Sequence, residues 1–374
     1  MCQPVNLPPV GQSEPNDQAA IFAEELLQIL NHGAIALMIS IGHRTGLFDT
    51  MARIPPSDSQ GIAESAGLNE RYVREWLGAM VTAAIVIYDA DSGCYTLPPA
   101  HAGLLTRDAS PDNVAVFAQY IPLLGQVEEE VIDCFYNGGG VPYERYTRFH
   151  EVMAEDSGQT VVSALFEHIL PLIDGHLSRL ERGIDVLDVG CGRGQALLQL
   201  ARAFPKSRFT GYDFSLEAIE WARKEADRQG LNNLLFEVKD VATLDEQGAY
   251  DWIVTFDAIH DQKSPDMVLS AIHGALRDDG IYLMQDIKGS SHLHNNLEHP
   301  IGPLLYTLST MHCMTVSLAQ DGAGLGTVWG RELALKMLNE AGFNDVVVKE
   351  LDHDFQNYFY IIRKMPGQAG DSLN

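Results

Sequence analysis

The stretch Val186-Leu187-Asp188-Val189-Gly190-Cys191-Gly192-Arg193-Gly194 constrains this chain more than any other. An apolar run enters alternate glycines and leads into residues 195–204, which reads as a buried strand, a tight loop and a helix. Such a loop lets a ligand approach the backbone and aims a helix N-terminus at it. A second strand, Arg208-Phe209-Thr210-Gly211-Tyr212, ends in Asp213. A carboxylate there can accept hydrogen bonds from both hydroxyls of a ribose. Together they predict a nucleoside-bearing ligand.

The dinucleotide fingerprint is Gly-x-Gly-x-x-Gly. Here the spacing is Gly190-x-Gly192-x-Gly194, and Gln195 holds the third position of that fingerprint, which argues against NAD or FAD. The string instead resembles the first motif of class I S-adenosylmethionine (SAM) methyltransferases. The resemblance continues in order over residues 184–364. Asp213 matches the ribose acid. Asp240-Val241 matches the adenine-contacting position. Residues 250–256 match the fourth strand, and residues 278–284 the turn and fifth strand. Near the end, residues 346–350 and 358–363 are apolar runs joined by a short polar loop, 351–357. So short a loop holds no crossover helix, so the pair is expected to be antiparallel.

The expected fold is therefore α/β: a Rossmann-like seven-stranded methyltransferase sheet, last strand antiparallel, behind a mostly α-helical winged-helix domain. The front half carries that second element. Residues 22–48 read as one or two helices with a possible break at Asn31-His32-Gly33. Residues 34–41 are apolar nearly all round, which predicts burial on more than one side. Helices follow at 60–66 and, capped by Asn69, at 70–84. Strands at 85–88 and 94–97 flank a hairpin turn. A winged helix invites a DNA reading. The candidate recognition helix, however, carries Glu70 and Glu75 beside Arg71 and Arg74.

Net charge is −26, where a nucleic-acid binder needs a positive footprint. The expected partners are a small-molecule acceptor and a second copy of the chain, with neither nucleic acid nor membrane. The architecture resembles plant-type small-molecule O-methyltransferases and related bacterial enzymes, in which the wing serves dimerisation. The expected division is a tail at 1–17, the winged helix at 18–100, a helical connector at 101–178, the methyltransferase domain at 179–365 with an insertion at 288–327, and a tail at 366–374. Hydrophobic residues make up 46% of the 374, enough for a sizeable core. Cys2, Cys94, Cys134, Cys191 and Cys313 are odd in number and scattered, which suggests a reducing compartment, expected to be the cytoplasm. The sequence shows no secretory signal and no apolar run of about 18 residues, so no membrane span is expected.

For chemistry, the resemblance points to Thr255-Phe256-Asp257-Ala258-Ile259-His260-Asp261, where plant-type enzymes carry a general base. His260 is the candidate, against the alternatives of a helix cap near Ser264 or a cofactor contact. Gln262 replaces the family's tryptophan. Cofactor contacts are expected at Asp188, Gly190, Gly192, Gly194, Asp213, Phe214, Asp240 and Val241. Tyr143, Tyr146 and His150, after the break at residues 137–142, together with His312 of the insertion, are expected to line the acceptor site. No metal is expected. His292, His294, His299, His312 and Cys313 lack zinc-finger spacing, and a magnesium site at Asp257 and Asp286 ranks last. A hydroxyl suits a histidine base, with a thiol or amine acceptor as the alternative. A winged-helix regulator that binds SAM without catalysis is the rival class, and a catalytically dead dimeric scaffold is a third.

Overall fold

The computed structural model describes residues 15–352 and 354–364, and divides into two compact units, 1–122 and 123–374. The tails expected at 1–17 and 366–374 lie largely outside the described residues. Residues 15–17 are not tail, because a helix begins at Pro15.

The first unit contains α1 (Pro15–Thr45), α2 (Leu47–Arg53), α3 (Ser59–Ala66), α4 (Glu70–Thr82), β1 (Ile87–Asp89), β2 (Cys94–Thr96) and α5 (Pro99–Leu105). Helix α1 runs unbroken through Gly33, since a single glycine costs a long helix only about 1 kcal/mol. Asp58 caps α3 through Gly61 N, and Asn69 caps α4 through Arg71 N. The core gathers Phe48, Ile62, Trp76, Leu77 and Met80. The Trp76 indole donates to Met38 O at 2.8 Å and meets Phe48 edge-on at 5.2 Å, fixing α1 to α4. β1 and β2 pair antiparallel as the wing. On α4, Arg71 pairs with Glu75 and Arg74 with Glu70, so neither arginine offers an uncompensated charge.

The expected two-sided burial of residues 34–41 is not met inside this unit: Leu37 and Ile41 stay exposed. They extend a stripe with Phe22, Leu26 and Leu30 that runs the length of α1 at helical spacing. The sequence reading that no segment is apolar enough to span a membrane also needs correction. As a helix, residues 17–45 are long and apolar enough by length and composition.

Helix α6 (Tyr120–Gly125) crosses the boundary between the units. The second unit then holds α7 (Glu128–Asn137), α8 (Phe149–Ser157), α9 (His176–Arg182), β3 (Asp185–Val189), α10 (Gln195–Ala203), β4 (Arg208–Asp213), α11 (Leu216–Gln229), β5 (Leu234–Val238), β6 (Tyr250–Phe256), α12 (Pro265–Ala275), β7 (Leu276–Ile287), α13 (Gly302–Leu308), α14 (Met314–Leu318), α15 (Gly330–Glu340), β8 (Asp345–Leu351) and β9 (Asp354–Arg363). Its seven-stranded sheet has the order β5-β4-β3-β6-β7-β9-β8. β9 is antiparallel to both β7 and β8, as expected. The order reverses between β3 and β6, which opens a crevice at the strand C-termini.

Separate cores cover the two faces. One holds Leu165, Leu197, Phe209, Phe236 and Trp252, and the other Ile253, Leu269, Tyr282, Trp329 and Phe343. The final hairpin departs from its expected boundaries. β9 starts at Asp354, so residues read as polar loop are buried strand, with Asn357 fully enclosed. Within the insertion, residues 302–318 form one helical rod whose middle, Ser309–Cys313, widens into a π-helical turn.

Candidate functional site

β3 delivers its last residues to the crevice, and the glycine loop turns directly after it. Gly190 N and Cys191 N both donate to Tyr212 O, at 2.8 and 3.1 Å, tying the loop to β4. Gly194 has φ +63°, and a Cβ there would meet the Phe236 ring at 2.2 Å. Gly192 has φ +52° with open space where a side chain would stand. One glycine is thus required by packing, and the other leaves room for a ligand.

Beside this loop two carboxylates are buried, while that of Asp240 is exposed. Asp213 accepts from Gly192 N at 2.9 Å and Ser215 N at 2.8 Å. Burial raises its pKa against the pull of those two bonds. Asp188 is 2% exposed, and its Oδ1 has no partner. Burial and the nearby Asp213 push it up to about 8. Asp240 caps the short turn Val241–Thr243 by accepting from Ala242 N at 3.0 Å, and Val241 beside it is buried. Phe214 is about half exposed and meets Tyr143 edge-on at 5.0 Å. Arg193 pairs with Glu217 at 2.7 Å and lies over the Trp221 ring.

His260 follows β6 and is 3% exposed. Its Nδ1 lies 2.8 Å from Asp286 Oδ1. That same oxygen accepts from Trp329 Nε1 at 3.0 Å and from Ile287 N at 2.8 Å, so the carboxylate is held rigidly. Burial alone would lower the imidazole pKa. Asp286, joined by the neighbouring Cys313, whose sulfur also favours the protonated ring, reverses this and holds it well above the usual range. Asp261 beside it is half-buried, and desolvation raises its pKa to about 6.

The aromatic residues after the glycine break meet the insertion rod. Gly140 packs so tightly on that rod that a Cβ would lie 1.9 Å from Thr315 O, and Val141 N donates to Thr315 Oγ1 at 2.9 Å. This brings Tyr143, Tyr146, Phe149 and His150 to His312. The His312 ring stacks flat on Phe149 at 3.7 Å and meets Tyr146 at 4.7 Å and Tyr143 at 5.5 Å. The Tyr146 hydroxyl donates to Met311 O. His312 is 1% exposed, neither ring nitrogen has a partner, and burial lowers its pKa to about 3, so it stands neutral. Among the described residues, no group of three or more His, Cys, Asp or Glu side chains converges on a metal position.

Comparison with known proteins agrees with this fold. Residues 33–107 match the Rv2258c-like winged HTH domain, and residues 180–342 match a methyltransferase domain. The chain carries a class I methyltransferase domain behind a winged helix. Curated relatives of that domain include malonyl-[acyl-carrier protein] O-methyltransferase of Bacillus cereus, 29% identical over 148 residues (40% of this chain, 49% of that protein). (S)-coclaurine N-methyltransferase of Papaver somniferum is 27% identical over 127 residues, 33% of this chain and 36% of that one. The chain therefore matches half or less of the length of these relatives. Among solved structures, human N-acetylserotonin methyltransferase in complex with SAM superposes with a TM-score of 0.68 at 17% identity, covering 95% of this chain and all of that one. The mitomycin 7-O-methyltransferase gives 0.69 at 18%, covering 93% and 99%. At such identities the likeness establishes the fold.

Methyltransferase domains of this class are SAM-dependent, and the residues present fit that cofactor: the open face of Gly192 and the orphan oxygen of Asp188 both border the glycine loop. Sequence reasoning missed three contributors to the site. Asp286 was read only as a metal carboxylate, and Trp329 and Cys313 were given no place beside His260. A polar residue ending an apolar strand was the available signal for Asp286.

Proposed function

We propose that this methyltransferase moves the methyl group of SAM to a hydroxyl of a small-molecule acceptor, with His260 as the base. When bound, the cofactor supplies a methyl already activated on a sulfonium. The protein's task is alignment and proton removal. Gly190, Gly192 and Gly194 admit the methionyl end, and Asp188 accepts from it. Asp213 holds the ribose. Phe214, Asp240 and Val241 border the adenine. Tyr143, Tyr146, His150 and His312 wall the acceptor.

The observation that carries this reading is the His260–Asp286 pair, a buried imidazole gripped at one nitrogen by an immobilised carboxylate. Asp286 fixes the ring's orientation and makes the neutral imidazole a stronger proton acceptor, while stabilising the imidazolium formed on transfer. The walls suit a flat acceptor, since His312 and Phe149 already stack in parallel.

The wing supports dimerisation rather than DNA binding, because both recognition-helix arginines are paired. In this reading two copies cover each other's α1 stripe.

The test is calorimetric titration with S-adenosylhomocysteine (SAH), repeated on Asp213→Ala, followed by an acceptor screen with His260→Ala. Micromolar binding lost in the first variant and turnover lost in the second are expected. A wild type that does not bind SAH would sink the reading.

A further inference from the structure

Acceptor-type oxygens accumulate, without donors, at the C-terminal edge of the sheet beside His260. Asp257 leaves β6 with a left-handed φ of +50°, held by its N–H donating to Gln285 O at 3.1 Å. Its Oδ2 accepts from Gln285 Nε2 at 3.2 Å, while its Oδ1 is buried without a partner. Gln285 is fully enclosed, and its Oε1 has no donor either. On β9, Phe359 pairs with Gln285 and Asn357 with Ile287. Asn357 therefore stands diagonally across from Gln285 on the same sheet face. Its amide nitrogen donates to Asp354, and its Oδ1 is enclosed and unpartnered. Asp286, the next residue on β7, faces the opposite side of the sheet, where its Oδ2 is bare and its other oxygen is committed to His260, Trp329 and Ile287.

A polar oxygen enclosed without a donor is costly, and several together with a carboxylate are costlier still. The charges facing Asp257 include Asp286, Asp156 and Asp354, opposed by the His260 imidazole. What would satisfy such a group is a compact cation with several N–H donors. Two amide oxygens beside one free carboxylate oxygen offer a divalent ion little negative charge, whereas they match in number the three N–H donors of an ammonium. Position selects its source. The glycine loop and Asp213 belong to β3 and β4, whereas this group spans β6, β7 and β9, the half of the sheet on the far side of the crevice.

We infer that the acceptor carries a protonated amine, anchored by Asp257 Oδ1, Gln285 Oε1 and Asn357 Oδ1 while its reacting group faces His260. This deepens the proposed function and rests on it.

The test titrates SAH-saturated protein with methylammonium, with tyramine, and with 4-ethylphenol, which is tyramine without its amine. Tyramine is expected to bind at least about tenfold more tightly than 4-ethylphenol, a difference of about 1.4 kcal/mol. Asp257→Asn and Asn357→Leu are expected to abolish that preference while leaving the SAH dissociation constant within about twofold. Equal affinity for the two phenols, or no binding of either ammonium probe, overturns the inference. A second arm compares SAH with its deamino analogue. If Asp257→Asn weakens SAH but not the analogue, the group belongs to the cofactor's own ammonium and the acceptor assignment falls. Failure of the wild type to bind SAH at all would instead count against the methyltransferase reading.

Discussion

His260 must be neutral to accept a proton, yet Asp286 favours its charged form. Turnover is therefore expected to rise with pH through an imidazole limb lying above the ordinary value of about 6.5. Asp286→Asn removes the charge that raises that limb. The ascending limb of kcat/KM should move to lower pH while the plateau falls. A limb that stays in place would show that another group titrates. His260→Asn should cost roughly 10²–10⁴ in kcat, the usual value of a positioned base. Asp188 gives a second prediction. Its carboxyl titrates near 3.9 in the unfolded chain and at about 8 in the fold. Folding thus takes up a proton across that window, and the stability it contributes is lost as pH rises from about 4 to about 8. Asp188→Asn should flatten this decline in thermal scans and weaken SAH binding. The positions of Asp188 and Asp213 beside the glycine loop were legible in sequence, because each sits at or near the end of an apolar run. The orphan Asp188 oxygen was not legible, since burial on all sides is a tertiary fact.

Among the elements, the loop from β3 to α10 depends on contacts as well as conformation. Gly194→Ala combines left-handed strain of about 1 kcal/mol with an overpacking cost of about 1–3 kcal/mol against Phe236. A lower melting temperature and lost SAH affinity are expected together; Phe236→Ala in the same background should recover part of the first. The π-helical turn at Ser309–Cys313 explains another site feature. His312 and Cys313 are consecutive, yet both are buried. In a regular helix, neighbours point about 100° apart; the widened turn brings both toward His260 and the aromatic wall. Such a widening is not legible in sequence, because about one extra residue per turn leaves no compositional mark. The start of β9 was misread for a related reason. Asp354, Gln356 and Asn357 are polar, and alternation identifies a strand by its apolar residues.

The stripe of Phe22, Leu26, Leu30, Leu37 and Ile41 is a liability for a lone copy. Paired along α1, it becomes an interface. Leu26→Glu with Leu30→Glu is expected to shift the protein from dimer to monomer in sedimentation velocity, with the melting temperature becoming independent of concentration. A wild type already monomeric at micromolar concentration would refute pairing through this face.

What the sequence determined by itself is local: strands and glycines whose spacing follows from backbone sterics, acids at strand ends, a capped α4, and a final hairpin whose loop is too short for a crossover. These depend on neighbours within a few residues, so pattern alone expresses them. Only the tertiary structure decided the chemistry's partners. His260 meets Asp286 across 26 positions, and Tyr143 meets His312 across more than a hundred, because sheet order and the Gly140 contact bring them together. Which oxygens are left without donors depends on every element packed around them, and no short stretch of chain encodes that sum.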